Sequence, residues 1–140
     1  MFNSMEIDFR DYQQGDRHLI SSWIADSTVD KVQLRDTFMR HFSDVIANGK
    51  LIVAIHKDIP VGFSGGKKNT DGTSRDISII YVTPSYRGNY LGRELLCLLE
   101  DYFRDDGCIS MNVVPPLSEV ESGFLEGMGY KVKENTLSKD

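Results

Sequence analysis

Arg87, Gly88, Asn89, Tyr90, Leu91, Gly92 and Arg93 are the residues of this chain whose types and spacing could do chemistry, and that chemistry is the holding of an anion. A helix beginning here would leave backbone N–H groups without intrahelical partners, and its aligned peptide dipoles would put partial positive charge among them. Phosphate oxygens satisfy both deficits. Gly88 and Gly92 have no Cβ, so a bulky diphosphate could approach the backbone, while Arg87 and Arg93 flank the loop with fixed positive charge. A Gly-x-x-x-Gly alone also suits an ordinary, tightly packed strand-turn-helix; Arg87 and the strand before it narrow the reading. A Walker loop needs Lys-Ser/Thr after its second glycine, where Arg93-Glu94 stands, and the dinucleotide-binding glycine triplet is absent.

The elements on either side must position this loop. Ile77, Ile79, Ile80, Tyr81 and Val82 form a β-branched and aromatic run too short for a helix, ended by Thr83-Pro84, which reads as a buried strand. Beyond the turn, Leu91, Leu95, Leu98, Leu99, Tyr102 and Phe103 recur at helical steps and Gly107 supplies a stop. That spacing predicts a helix beginning near Gly88 or Asn89.

Upstream, Glu6 to Arg10 alternates as a first strand, and Asp16 caps a helix carrying Leu19, Ile20, Trp23 and Ile24. A break near Ser27-Thr28 leads to a second helix with Phe38, Phe42, Val45 and Ile46 on its apolar stripe, stopped by Asn48-Gly49. Leu51 to Ile55 and Val61 to Ser64 make a hairpin through Asp58 and Pro60, and Lys67 to Ser74 is a polar loop. Downstream, Ile109 to Val114 is a strand stopped by Pro115-Pro116. Val120, Phe124, Leu125 and Met128 outline a last helix ending at Gly129, and Tyr130 to Lys133 can form a final strand.

The stretch from Ile79 through Gly92 resembles the acyl-CoA-binding motif of the GNAT superfamily of N-acetyltransferases: a valine-ending strand, a Pro-containing turn, then Arg/Gln-x-x-Gly-x-Gly/Ala. The order of elements is similar to that family over nearly the whole chain. The resemblance implies an α/β fold of the α+β type, a mixed and mostly antiparallel twisted sheet of about six strands flanked by about four helices. The family's closing hairpin wants one more strand than the chain's end readily supplies, and an open edge there would let two subunits pair as a homodimer.

The resemblance further implies acetyl-CoA as cosubstrate, with Val82 bonding the pantetheine arm through its backbone. Arg87, Gly88, Asn89, Tyr90, Gly92 and Arg93 would surround the pyrophosphate, although Tyr90 stands where the family prefers glycine. Ser118 replaces a cofactor-binding asparagine and keeps some hydrogen-bonding capacity. Counting six residues upstream from Val82, the family's acid/base carboxylate falls on Asp76, with Ser78 on the same strand face. The alternative for Asp76 is a solvated carboxylate at a strand start beside Arg75. The family's thiolate-protonating tyrosine, five residues before the aromatic of Gly129-Tyr130, is Leu125 here. An alkyl thiol has a pKa near ~8.5, so the thiolate could still leave and take its proton from water.

Composition bounds what else the chain could be. Its 140 residues suit one domain spanning 1–140, and 26% charged residues beside 40% hydrophobic ones is a globular balance. The formal net charge of −5 argues against a general nucleic-acid binder and mildly favours a cationic acceptor such as a primary amine. No run is long enough to span a membrane and the N-terminus lacks a signal-peptide pattern, so a soluble, cytoplasmic protein is expected. Cys97 and Cys108 read as structural thiols, and His18, His41 and His56 show no metal or triad spacing, so no metal is expected.

The expected function is therefore N-acetyl transfer from acetyl-CoA directly to a primary amine. The alternative, motivated by Leu125 and Tyr90, is a catalytically weak or inactive acyl-CoA-binding protein of the same fold. A third reading, an unrelated nucleotide-binding module, rests only on the generic anion-binding helix start. Acceptor selection would fall to the segments from Trp23 to Phe42, which carry no recognisable signature.

Overall fold

Leu51 to Ile55 is apolar at every position, the pattern of a strand covered on both faces, and helices do lie on both faces of the sheet. The computed structural model describes residues 6–27, 40, 42–86, 90–113, 125–133 and 136–139. In chain order these form β1 (Ile7–Asp11), a 3-10 turn (Gln14–Asp16), α1 (Arg17–Ser27), α2 (residues 42–48), β2 (Gly49–His56), β3 (Ile59–Lys68) and β4 (Ser74–Val82). A second 3-10 turn (Pro84–Tyr86) leads towards α3 (Leu91–Asp105), then β5 (Ser110–Val113), a helical turn at 125–127, β6 (Lys131–Lys133) and β7 (Thr136–Lys139).

All seven strands join one sheet in the order β1-β2-β3-β4-β5-β7-β6. Every pairing is antiparallel except β4 with β5. The architecture is the α+β arrangement expected, with seven strands rather than about six. The additional strand is β7, drawn from the short polar tail: only residues 134 and 135 separate it from β6, enough for a tight hairpin. It pairs between β5 and β6, so the sheet edge on that side is β6 and not an unfilled gap beside the final hairpin.

Ile52, Ala54, Val61 and Ile77 face α3, whose Leu91, Leu95, Leu96, Leu99 and Phe103 form the buried stripe of one core. Met111, Val113, Leu125 and Tyr130 complete it. On the other face Leu51, Val53, Ile55, Phe63 and Ile79 pack with Ile20 of α1 and Phe42 and Val45 of α2. Cys97 and Cys108 are half-buried. No helix among the described residues is long and apolar enough to cross a membrane.

The junction of β1 with α1 is fastened electrostatically. Asp16 caps the 3-10 turn, accepting the Gln13 amide at 2.9 Å in a capping box, and also accepts two bonds from Arg10, at 2.7 and 2.9 Å. The Arg10 hydrogen bond, outweighing burial, holds the Asp16 carboxyl below the usual carboxylate range. A carboxylate depressed in the folded state stabilises above its unfolded pKa, and that stabilisation is lost as pH falls through the folded value. Asp16→Ala is therefore expected to cost about 2 kcal/mol at pH 7. The deficit relative to wild type shrinks on acidification, as measured by urea unfolding at the two pH values.

Candidate active site

The β4–β5 pairing runs from Ser74↔Ser110 to Ile77↔Val113, while β4 continues to Val82. The described pairing thus ends at Ile77, and the residues that follow β5, 114–120, lie outside the described residues. On the β3 side Gly65 faces Ile79 and the next residue, Gly66, faces Ile77, which makes Ser78 the extra residue of a β-bulge. The bulge reverses the alternation: Ile77 packs in the α3-side core and Ile79, two residues on, in the opposite one. Ile80 and Val82 then return to the α3 side. Gly66 is where a side chain has no room, since a Cβ there would meet the Asp76 carbonyl oxygen at 2.4 Å.

Asp76 stands one residue before the end of the described β4–β5 pairing, opposite Lys67 of β3 and Asn112 of β5. Its neighbours Arg75, stacked over Phe103, and Ile77 both face α3, so alternation puts Asp76 on the α2 side. There Lys67 is ion-paired with Asp44 of α2. The Asp76 side chain is half-buried and accepts from Asn69 Nδ2 at 3.2 Å. It is thus a half-buried, hydrogen-bonded carboxylate on β4. Ser78 beside it is buried.

At the other end of β4 the chain turns into α3. The helix begins at Leu91, later than its apolar spacing suggested, because Tyr90 sits at the N-cap in the left-handed region with φ 66° and ψ 7°. That conformation accounts for the family's preference for glycine here, since a Cβ is disfavoured at positive φ. Tyr90 is 74% exposed, so no packing of the ring offsets the strain. Gly92 and Arg93 fall in the first helical turn, whose first bond runs from the Glu94 N–H to the Tyr90 carbonyl at 3.0 Å. Arg87, Gly88, Asn89 and Ser118 lie outside the described residues. Tyr90→Gly relieves roughly 1 kcal/mol of left-handed strain, part of which the glycine's greater unfolded-state freedom offsets. A rise in the urea unfolding midpoint is expected, and no rise would count against the strain.

Leu125 is fully buried in the α3-side core and can supply no proton. Tyr130 is no substitute: its hydroxyl donates to Glu100 Oε2 at 2.7 Å, and burial, then Glu100, push its pKa far up, so it keeps its proton. Tyr81 stacks on Phe63 at 5.7 Å. One pairing went unseen in the sequence: His56 Nδ1 and Tyr86 Oη hydrogen-bond at 2.6 Å just before the loop. A histidine at a strand end and a tyrosine 30 residues away carry no shared spacing that could have revealed it.

β4 ending at Val82, the turn Pro84–Tyr86 and α3 from Leu91 place the described part of the motif on a strand-turn-helix unit. A model of the acetyltransferase (GNAT) family matches residues 10–130, and the chain belongs to that family and is an N-acetyltransferase by class. No curated protein matches it. Among solved structures it is similar to the PaiA N-acetyltransferase of Thermoplasma acidophilum in complex with coenzyme A, with TM-score 0.76 and 16% identity over 97% of this chain and 99% of that one. It is also similar to Arabidopsis thaliana Naa50 in complex with the bisubstrate analogue CoA-Ac-MVNAL, with TM-score 0.73 and 19% identity over 96% and 98% of the two chains. A third is the glucosamine N-acetyltransferase region of a fungal multi-domain GH3 β-N-acetylglucosaminidase, with TM-score 0.76 and 18% identity over 94% of this chain and 18% of that one.

Proposed function

We propose that the chain, acting as one domain, transfers an acetyl group from acetyl-CoA directly to a primary amine. The observation that carries the reading is the strand-turn-helix unit: β4 runs to Val82, the turn Pro84–Tyr86 follows, and α3 begins at Leu91, with the acyl-CoA wedge of this reading lying between β4 and β5 beyond Ile77. An acyl-pantetheine arm laid in that gap finds backbone groups along one side, Val82 among them, in the manner of an added strand. The first turn of α3, with Arg87 to Arg93, supplies N–H groups and positive charge for the pyrophosphate. Coenzyme A complexes in the similar folds of PaiA and Naa50 support an acyl-CoA in this role. Ser118 would add a hydroxyl.

A lysine-like amine has a pKa near ~10.4 and is mostly protonated at neutral pH, so a proton must leave before attack on the thioester. Asp76, at the vertex of the wedge, accepts it directly or through an ordered water. The neutral amine attacks the thioester carbonyl to form the C–N bond, the nitrogen gives up its second proton to water, the C–S bond breaks, and the CoA thiolate leaves to be protonated by solvent. The test is titration calorimetry with acetyl-CoA, CoA, ATP and NAD, followed by an acetylation screen. Its acceptors are a polyamine, glucosamine and a peptide beginning Met-Val. CoA-selective binding with turnover on an amine is the expected result; binding without turnover on any amine would overturn the catalytic part.

A further inference from the structure

β5 lies inside the sheet, between β4 and β7, and its parallel register with β4 matches Arg75 to Met111 and Ile77 to Val113. Those four side chains turn towards α3: Ile77, Met111 and Val113 are core residues there, and Arg75 stacks over Phe103. Alternation then puts the intervening pairs, Ser74 with Ser110 and Asp76 with Asn112, on the α2 face. A strand inside a sheet that is covered on both faces reads apolar on both. Leu51, Val53, Ile55, Phe63 and Ile79 follow that rule under α1 and α2, whereas the β4–β5 pair departs from it. Ser74 is buried and bonded to Asp71 at 2.8 Å, while Asp76, Ser110 and Asn112 are half-buried.

Asp76 and Asn112 have the same shape, and side chains in register on neighbouring strands present like atoms one strand spacing apart, about 4.8 Å. Two hydrogen bonds of about 2.9 Å donated by one tetrahedral nitrogen end on acceptors roughly 4.7 Å apart. The pair is thus spaced to take a single ammonium between two oxygens, one charged and one neutral. That division suits the chemistry: the carboxylate draws a proton, and an amide oxygen accepts a hydrogen bond without titrating. A second carboxylate would compete for the same proton. From the β3 side Asp76 faces Lys67, itself ion-paired with Asp44 of α2, and Asn69 Nδ2 donates to it at 3.2 Å. Asn112 is its neighbour on the β5 side.

We propose that Asn112 is an acceptor-binding residue, its carboxamide oxygen holding one N–H of the incoming ammonium while the Asp76 carboxylate takes another, so that the amine approaches over the α2 face of the β4–β5 pair. The inference rests on the amine-acetylation reading above and adds the residue that keeps the acceptor nitrogen in place once Asp76 has its proton. Asn112 moves no proton itself. Its effect therefore falls on acceptor binding, whereas that of Asp76 falls on turnover.

The test is steady-state acetylation of the best acceptor among a polyamine, glucosamine and a peptide beginning Met-Val by wild type, Asn112→Leu and Asn112→Ala, with acetyl-CoA titrated calorimetrically into each protein. Leucine keeps the shape of the side chain and removes its oxygen. The acceptor KM of Asn112→Leu is expected to rise about ten-fold or more, the scale of one hydrogen bond to a charged group, with kcat and the Kd for acetyl-CoA little changed. Alanine makes no demand on packing and should show the same rise, so the test stands even where the leucine variant does not fold. A merely structural role would instead weaken acetyl-CoA binding and kcat together with KM, and that outcome overturns the assignment. An unchanged acceptor KM in Asn112→Ala overturns it as well, while wild-type turnover keeps the amine reading. Wild type that acetylates none of the three acceptors overturns that reading itself, and the assignment of Asn112 with it.

Discussion

Asp76→Asn is expected to lower turnover by about 10²–10⁴-fold while leaving the Kd for acetyl-CoA unchanged. Asparagine preserves the shape of the side chain, which accepts from Asn69 and stands between Lys67 and Asn112. It removes the negative charge that draws a proton from the incoming ammonium. The cofactor is expected to be untouched because its pyrophosphate subsite is at the other end of β4, roughly 20 Å along an extended strand. Calorimetry and steady-state kinetics on one preparation separate the two quantities. A loss of acetyl-CoA affinity would instead place Asp76 in the cofactor site.

The pH profile sharpens that test. For an acceptor with pKa near ~10.4, the neutral fraction rises about ten-fold per pH unit through the neutral range. In the variant the amine must lose its proton to bulk water, so its rate depends on that fraction alone. The defect is therefore largest near neutrality and narrows towards the amine pKa, where the proton leaves unaided. A defect of constant size across the range would mean that Asp76 orients the acceptor without taking its proton.

What could be read from the chain and what could not have different physical origins. The strand to Val82 and the helix through Phe103 were legible because burial enforces periodicity and Pro84 and Gly107 punctuate it. The bulge at Ser78 was not, because an inserted residue changes which face later residues occupy without altering their types. Regular alternation would put Ile77 and Ile79 on one face, and they sit on two. The start of α3 was misplaced for a related reason: the left-handed N-cap is occupied by Tyr90, a residue that does not advertise positive φ. The last strand was hidden in a tail whose Thr136, Ser138 and Lys139 gave no apolar alternation. The Arg10–Asp16, His56–Tyr86 and Tyr130–Glu100 pairs are tertiary choices, invisible to any local pattern. Of the expected site, Asp76, Val82, Tyr90, Gly92 and Arg93 are distributed along one strand-turn-helix unit, from the middle of β4 to the first turn of α3.

Tyr130→Phe is expected to destabilise the fold by about 3 kcal/mol, the cost of taking a partner from a buried charge. Both side chains are almost fully enclosed, and the Tyr130 hydroxyl donates to Glu100 at 2.7 Å, tying the residue after the 125–127 turn to the middle of α3. Arg104, one helical turn on, lies 3.8 Å from the other carboxylate oxygen and is half-exposed, so it cannot replace that bond. The asymmetry of buried polar pairs then gives a second, opposite expectation. In Glu100→Met/Tyr130→Phe no carboxylate remains to be stranded, and the double variant should be more stable than Tyr130→Phe alone. Urea unfolding of the four proteins of the cycle measures both effects. If the double variant is the least stable of the four, the pair contributes net stability rather than merely avoiding a penalty. The phenol and carboxylate would then be retained for holding the C-terminal hairpin against α3, and with it β7 beside β5.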